Sequence, residues 1–146
     1  MAAINPYLNF NGNTEEAFNF YRSIFGGEFS ALMRWSDNGG CGEGSPLSET
    51  DLSKIMHISL PIGSGSLLMA SDALESFGQN AVPGTNSYVA IQADNREEAD
   101  RLFNGLSDGG KVEMPMSEMF WGGYFGSFTD KFGIRWLVNC DLNGSN

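Results

Sequence analysis

The sequence predicts an α+β fold made of two βαβββ modules, and three observations predict it. Residues 7–27 echo residues 89–109: Asn13, Glu15, Glu16, Ala17 and Gly27 meet Asn95, Glu97, Glu98, Ala99 and Gly109. Each copy is flanked by short apolar runs that alternate with period two, the mark of half-buried strands. The chain has 146 residues, 41% hydrophobic and 18% charged, the composition of a globular protein. A chain of this length buries roughly two thirds of its unfolded surface without disulfide staples.

The first module, about residues 4–72, opens on a strand over Tyr7–Phe10. Ala17, Phe20, Tyr21 and Ile24 then recur at helical spacing and predict one buried stripe. Asn13 followed by Glu16 reads as a reciprocal N-terminal cap, and Gly26-Gly27 as the stop. Strands follow over Phe29–Trp35, Ile55–Ile62 and Ser66–Ser71. Residues 36–53 (SDNGGCGEGSPLSETDLS) have no periodicity and read either as a lid or as a disordered loop. A second long connection covers 72–86 and contains Asp72, Pro83 and Gly84.

The second module, about residues 86–142, repeats the plan. A strand over Ser87–Gln92 leads to a helix capped by Asn95 and Glu98, with Ala99, Leu102, Phe103 and Leu106 as its stripe. It stops at Gly109-Gly110, and strands follow over Lys111–Met116, Gly123–Thr129 and Ile134–Cys140. The two modules are expected to make one domain over 1–146. Alternation assigns the faces. Met56, Ile58 and Leu60 pack under a helix, leaving Ile55, His57 and Ser59 opposite. Val89 and Ile91 face the helix, and Tyr88, Ala90 and Gln92 face away. Ile134, Trp136 and Val138 form one face of the last strand, and Arg135, Leu137 and Asn139 the other. The faces away from the helices mix aromatic and polar residues, which suits curved sheets enclosing a ligand cavity.

Charge narrows the partners. Eighteen acids against eight bases give a net charge of −10, and no cluster of Lys and Arg is present to displace counterions from a duplex. Neither nucleic acid nor an anionic membrane is expected as a partner. The acidity either favours a cationic or neutral small ligand or serves solubility alone. No run reaches the length of a membrane span, and Met1–Pro6 is not a basic and apolar signal segment. Two cysteines, Cys41 and Cys140, are too few for a disulfide framework, so a cytoplasmic, reducing location is expected.

Candidate functional residues fall on the faces away from the helices and in one aromatic loop. His57 is the single histidine and the weak catalytic candidate, as a base or ligand anchor, or else a group bonded within the sheet. Arg135 either clamps an anion through its planar fork or pairs with a neighbouring acid. Phe120, Trp121 and Phe125 line a cavity for a planar ligand or form a subunit or module interface. Tyr7, Met69 and Tyr88 complete the ligand-binding set. Met33, Met69, Met114 and Met116 are either an adaptable lining or core filling. Asp72 and Glu118 are the acids nearest the rim, for acid–base work or solvated positions. Cys41 has no basic neighbour in sequence to activate it, and Cys140 reads as an ordinary strand residue. The sequence has no nucleophile elbow, zinc-helix motif, phosphate loop or dinucleotide fingerprint. The glycines at 39, 40, 42 and 44 precede no helix.

Several stretches together resemble a known family. They are YLNFNGNTEEAFNFY over 7–21, Phe25-Gly26-Gly27, Met69-Ala70-Ser71-Asp72, Phe120-Trp121-Gly122 and Asp130-Lys131-Phe132-Gly133-Ile134-Arg135-Trp136. The resemblance is to the PhnB-like branch of the vicinal oxygen chelate superfamily, which holds glyoxalases, bleomycin resistance proteins and dioxygenases. It implies that the paired modules form a U-shaped open barrel, commonly in a homodimer. Members bind a divalent metal through His and Glu from strands of both modules. Those positions fall near Pro6, Met69, Tyr88 and Leu137, where this sequence has neither His nor Glu within one residue. No metal cofactor is therefore expected, and a metal-independent small-molecule-binding protein, for sequestration or resistance, is the leading expectation. The alternative is a lyase, isomerase or dioxygenase whose divalent metal is held atypically by His57, Asp72 or Glu118. A third is a dimeric interaction module whose aromatic patch is only an interface. The demethylubiquinone methyltransferase label that circulates in this branch fails, because such an enzyme needs a larger parallel sheet with a glycine-rich first turn.

Overall fold

The computed structural model describes residues 2–38, 47–63 and 65–142. Cys41 and most of the glycine-rich part of the expected lid lie outside them. The chain divides into two compact units, Met1–Val82 and Pro83–Asn146.

The first unit runs β1 (Tyr7–Phe10), α1 (Thr14–Phe25), β2 (Ala31–Arg34), α2 (Glu49–Ser53), β3 (Ile55–Ile62) and β4 (Ser66–Asp72). Its sheet has the order β1-β4-β3-β2, with β1 parallel to β4 and the other pairs antiparallel. The second runs β5 (Val89–Gln92), α3 (Arg96–Ser107), β6 (Lys111–Glu118), β7 (Gly123–Thr129) and β8 (Arg135–Asp141). Its order is β5-β8-β7-β6, again with only the first and last strands parallel. Both units are thus βαβββ, as the echo predicts.

α1 and α3 each pack on one face of their own sheet. In the second unit the expected stripe of Ala99, Leu102, Phe103 and Leu106 is buried. Phe103 meets Phe128 edge-on at 5.0 Å, and Trp136, Val138 and Cys140 complete the core. Each large apolar side chain buried in this way is worth roughly 1.5–3 kcal/mol. In the first unit the stripe turns by about one residue. Thr14, Ala17, Phe18 and Tyr21 are buried, while Phe20 and Ile24 stay half-exposed. At the helix entry the buried Thr14 hydroxyl donates to Asp72 Oδ1 at 2.6 Å.

The two helix starts differ from the shared cap that Asn13 and Asn95 predict. Asn95 caps α3 as expected, its side chain accepting from Glu98 N at 2.8 Å. Asn13 makes no side-chain cap, and its φ of −116° with ψ of 24° is not the extended backbone of a capping residue. Asp72 replaces it from the end of β4, its Oδ1 accepting from Gly12 N and Thr14 N. The helix stop at Gly26-Gly27 is as predicted, both residues having positive φ, which costs a residue without Cβ nothing.

Other differences are local. The strand expected over Phe29–Trp35 is shorter, because Trp35 opens a single 3-10 turn, Trp35–Asn38. The aperiodic stretch 36–53 also holds α2, whose start is capped by Ser48 accepting from Asp51 N. Ile55, expected to share a face with His57, is 1% exposed. The register between β2 and β3 slips by one residue, from Met33 opposite His57 to Arg34 opposite Ile55, and a bulge of this kind reverses the alternation.

Candidate functional site

The face of the first sheet turned away from α1 brings Tyr7, His57 and Met69 together. Tyr7 lies opposite Met69, Met69 opposite Ser59, and His57 opposite Met33. The Tyr7 and His57 rings stack with centroids 5.8 Å apart at 29°, and the Tyr7 hydroxyl lies 3.3 Å from His57 Nδ1. Tyr7 and Met33 are exposed, while His57 and Met69 are half-buried. The other polar groups of this face are engaged: Ser59 with Ser30 at 2.6 Å, and Asn9 with Ser71.

On the corresponding face of the second unit, Tyr88 and Arg135 come together around an acid that sequence reasoning missed. The Arg135 guanidinium stacks over the Tyr88 ring at 3.9 Å. It donates to Thr85 O and Tyr88 OH and pairs with Glu113 Oε2 at 3.3 Å. Tyr88 OH in turn donates to Glu113 Oε1 at 3.0 Å. Burial pushes the Glu113 carboxyl upward, but the bonds from Tyr88 and Arg135 and the charge of Arg135 outweigh it and hold it below the ordinary carboxylate value. Of the two roles open to Arg135, the structure shows the ion pair. Glu113 lies in β6 where its register with β7 slips, between Val112 and Met114.

The aromatic loop does not act as one cluster. Trp121 meets Phe125 at 6.2 Å in an edge-on contact, and its ring lies over Gly123, where a Cβ would fall 1.7 Å from a ring carbon. Only glycine fits beneath that indole. Phe120 points away and is fully exposed. Behind Phe125 on the same face, Asn139 Nδ2 donates to Gln92 Oε1 at 3.0 Å.

The candidate acids have structural partners. Asp72 is 4% exposed. Besides the three bonds at the start of α1, its Oδ2 accepts from Ile55 N at 2.8 Å, so its carboxylate faces the helix entry rather than a ligand. Glu118 pairs with Arg96 at 3.2 Å, and that guanidinium also lies 4.2 Å over the Tyr124 ring. The most specific motif, Asp130 to Trp136, is a structural device: buried Asp130 accepts from Phe132 N and Ile134 N through Oδ1 and from the Trp136 indole through Oδ2. Cys140 is buried, and burial pushes its thiol up, with Asp141 adding to the shift. That environment suits a strand residue and not a nucleophile.

The superfamily's divalent metal needs several imidazole or carboxylate donors aimed at one point. Among the described residues no three His, Cys, Asp or Glu side chains gather to hold an ion. Pro6, Met69, Tyr88 and Leu137 offer no such donor either, so the residues present do not fit that metal. Among the described residues no helix is long and apolar enough to cross a membrane.

Comparisons with known proteins agree with this architecture. The sequence matches the family model of the glyoxalase/bleomycin resistance protein/dioxygenase superfamily over residues 3–138. It is 33% identical over 144 residues to protein YjdN of Escherichia coli strain K12, covering 93% of each chain. The fold is similar to that of protein PA1353 from Pseudomonas aeruginosa, with 40% identity, a TM-score of 0.81, and 97% and 98% of the two chains covered. It is also similar to the PhnB protein of Bacillus cereus, a protein that carries a 3-demethylubiquinone-9 3-methyltransferase name. There the identity is 25%, the TM-score 0.70, and the coverage 95% and 99%.

Proposed function

Because the chain belongs to the glyoxalase/bleomycin resistance/dioxygenase superfamily, we propose that it is a PhnB-like small-molecule-binding protein that works without the superfamily's divalent metal. One observation carries this reading: the two acids that an atypical metal site would recruit are committed elsewhere, which leaves His57 as a lone donor among the described residues. Asp72 holds the start of α1, Glu118 holds Arg96, and one nitrogen of His57 is bonded to Tyr7. What the faces offer instead is aromatic and thioether surface with few open polar groups, the make-up of a small-molecule site. Sequestration of a harmful compound in the cytoplasm, by a homodimer, is the role this chemistry suits. The methyltransferase name of the Bacillus relative finds no support here, because each unit is a four-stranded mixed sheet and not a doubly wound parallel one.

The test is elemental analysis of the purified, untagged protein, before and after incubation with Zn, Ni, Mn and Fe(II), followed by a thermal-shift screen of a small-molecule library. The expected result is no stoichiometric metal and a ligand that raises the melting temperature by binding the native state, about 2.7 kcal/mol at a hundredfold excess over Kd. Trp121→Ala is expected to remove that shift while leaving the fold intact. A stoichiometric metal with metal-dependent turnover would overturn the reading in favour of the enzyme alternative. Dissociation of a dimer on Trp121→Ala, with no ligand found, would favour the interaction module.

A further inference from the structure

The Tyr7–His57 pair defines the ligand more narrowly, on the premise of the small-molecule reading above. A neutral imidazole has one N–H and one lone-pair nitrogen, and the bond made by one nitrogen fixes what the other presents. Here Nδ1 faces the Tyr7 hydroxyl at 3.3 Å. The lone pair of an imidazole nitrogen is a better acceptor than a phenol oxygen, so the phenol donates and Nδ1 accepts. The proton then sits on Nε2. Protonating the ring reverses the Tyr7 bond but leaves Nε2–H in place. The outward nitrogen is therefore a donor in either state, and among the described residues it has no partner.

The surroundings select what accepts from it. Met33 lies directly across from His57, and Met69 lies between Tyr7 and β3 in the sheet. An alcohol accepting from Nε2–H brings an O–H of its own onto a thioether and aromatic surface, whereas a carbonyl brings only acceptors; Ser59 and Asn9 each already hold a partner. An anion is disfavoured by the net charge of −10 and by the pairing of Arg34, the cation next to Met33, with Glu15 at 2.8 Å. We propose that His57, held in the Nε2–H form by Tyr7, is a hydrogen-bond donor to the oxygen of a neutral carbonyl compound whose apolar body lies on Met33, Met69 and the Tyr7 ring.

The single histidine makes the test direct, because the ring nitrogens give one unambiguous set of signals. Long-range proton–nitrogen correlation on the ligand-free chain is expected to show Nε2 protonated and Nδ1 bare. Tyr7→Phe is expected to mix the two tautomers without unfolding the exposed face. Titration with acetophenone should then shift the Nε2 signals and bind about tenfold more tightly than ethylbenzene, which lacks the carbonyl. Tyr7→Phe should reduce that preference. A protonated Nδ1, or equal responses to the two probes, would overturn the proposal. If neither probe binds while another library ligand stabilises the protein, the carbonyl class is wrong and the small-molecule reading stands. If no ligand of any class stabilises it, the reading itself falls.

Discussion

The two units share an element order and a strand order, yet they start their helices in different ways. In the second, Asn95 caps α3 from the adjacent residue. In the first, Asp72 reaches across 58 residues of sequence to hold Thr14, and the same carboxylate fastens β3 through Ile55 N. A local cap satisfies one orphan N–H, whereas Asp72 joins three elements. The faces away from the helices differ as well. In the second unit Arg135, Tyr88 and Glu113 close on one another, while in the first His57 keeps one nitrogen open. The repeat has kept the topology and not the chemistry, so a residue's role cannot be transferred from one unit to the other by position.

The sharpest way to break the comparison is to remove each cap. Asp72→Ala leaves buried donors on α1 and β3 unpaired and is expected to destabilise by about 3 kcal/mol or more in urea unfolding. Asp130→Ala exposes the same logic at the β7–β8 turn, at about 2–3 kcal/mol, with loss of the near-ultraviolet signal of Trp136. Asn95→Ala should cost only about 1 kcal/mol. Equal losses for Asp72→Ala and Asn95→Ala would show that the long-range role of Asp72 is illusory.

Acid titration sharpens the contrast between the faces. Glu113 is held below its ordinary value in the folded chain, so its contribution is fully present above the ordinary value and is lost as the pH falls through the lower folded one. From about pH 5 to about pH 3 the wild type should lose more thermal stability than Glu113→Gln, which has no carboxylate to protonate. A parallel decline of the two would mean that the Arg135 cluster adds nothing. The smallest effect is expected at Phe120→Ser, a change at a fully exposed ring, which should move the melting temperature very little, within about 0.5 kcal/mol.

The fold was legible because its signals are periodic. Strand-like runs matched each of the eight strands among the described residues, and the stripe of α3 reads directly from Ala99, Leu102, Phe103 and Leu106. Legibility stopped where a long-range contact overrides a local preference. Asn13 has the residue type of a cap, but the carboxylate of Asp72 occupies the N–H groups first, and no spacing rule links residues 58 apart. Bulges set a second limit, since one extra residue in β3 moved Ile55 into the core. Of the candidate site, His57, Tyr88 and Arg135 were legible as facing away from the helices, while the joining of Tyr7 to His57 and of Tyr88 to Arg135 depends on the sheet order that the fold supplies. The acids were misplaced because their partners are backbone groups or side chains that sequence does not place.

In each sheet the first strand lies beside the last, and this sets when the units can form during synthesis. Asn9 and Ser71, neighbours in the folded sheet, are 62 residues apart, and Gln92 and Asn139 are 47 apart. The difference in closure entropy between such loops is only about 0.2 kcal/mol, too little to favour one unit over the other. Both are governed by the same rule, that β1 and β5 have no partner in their own sheets until β4 and β8 have been made. The antiparallel pairs β3–β4 and β7–β8 can form early as hairpins, and each N-terminal strand then docks late as a parallel edge. A ribosome stalled before β4 would therefore present β1 as an unpaired strand, open to capture by a chaperone or by another nascent chain.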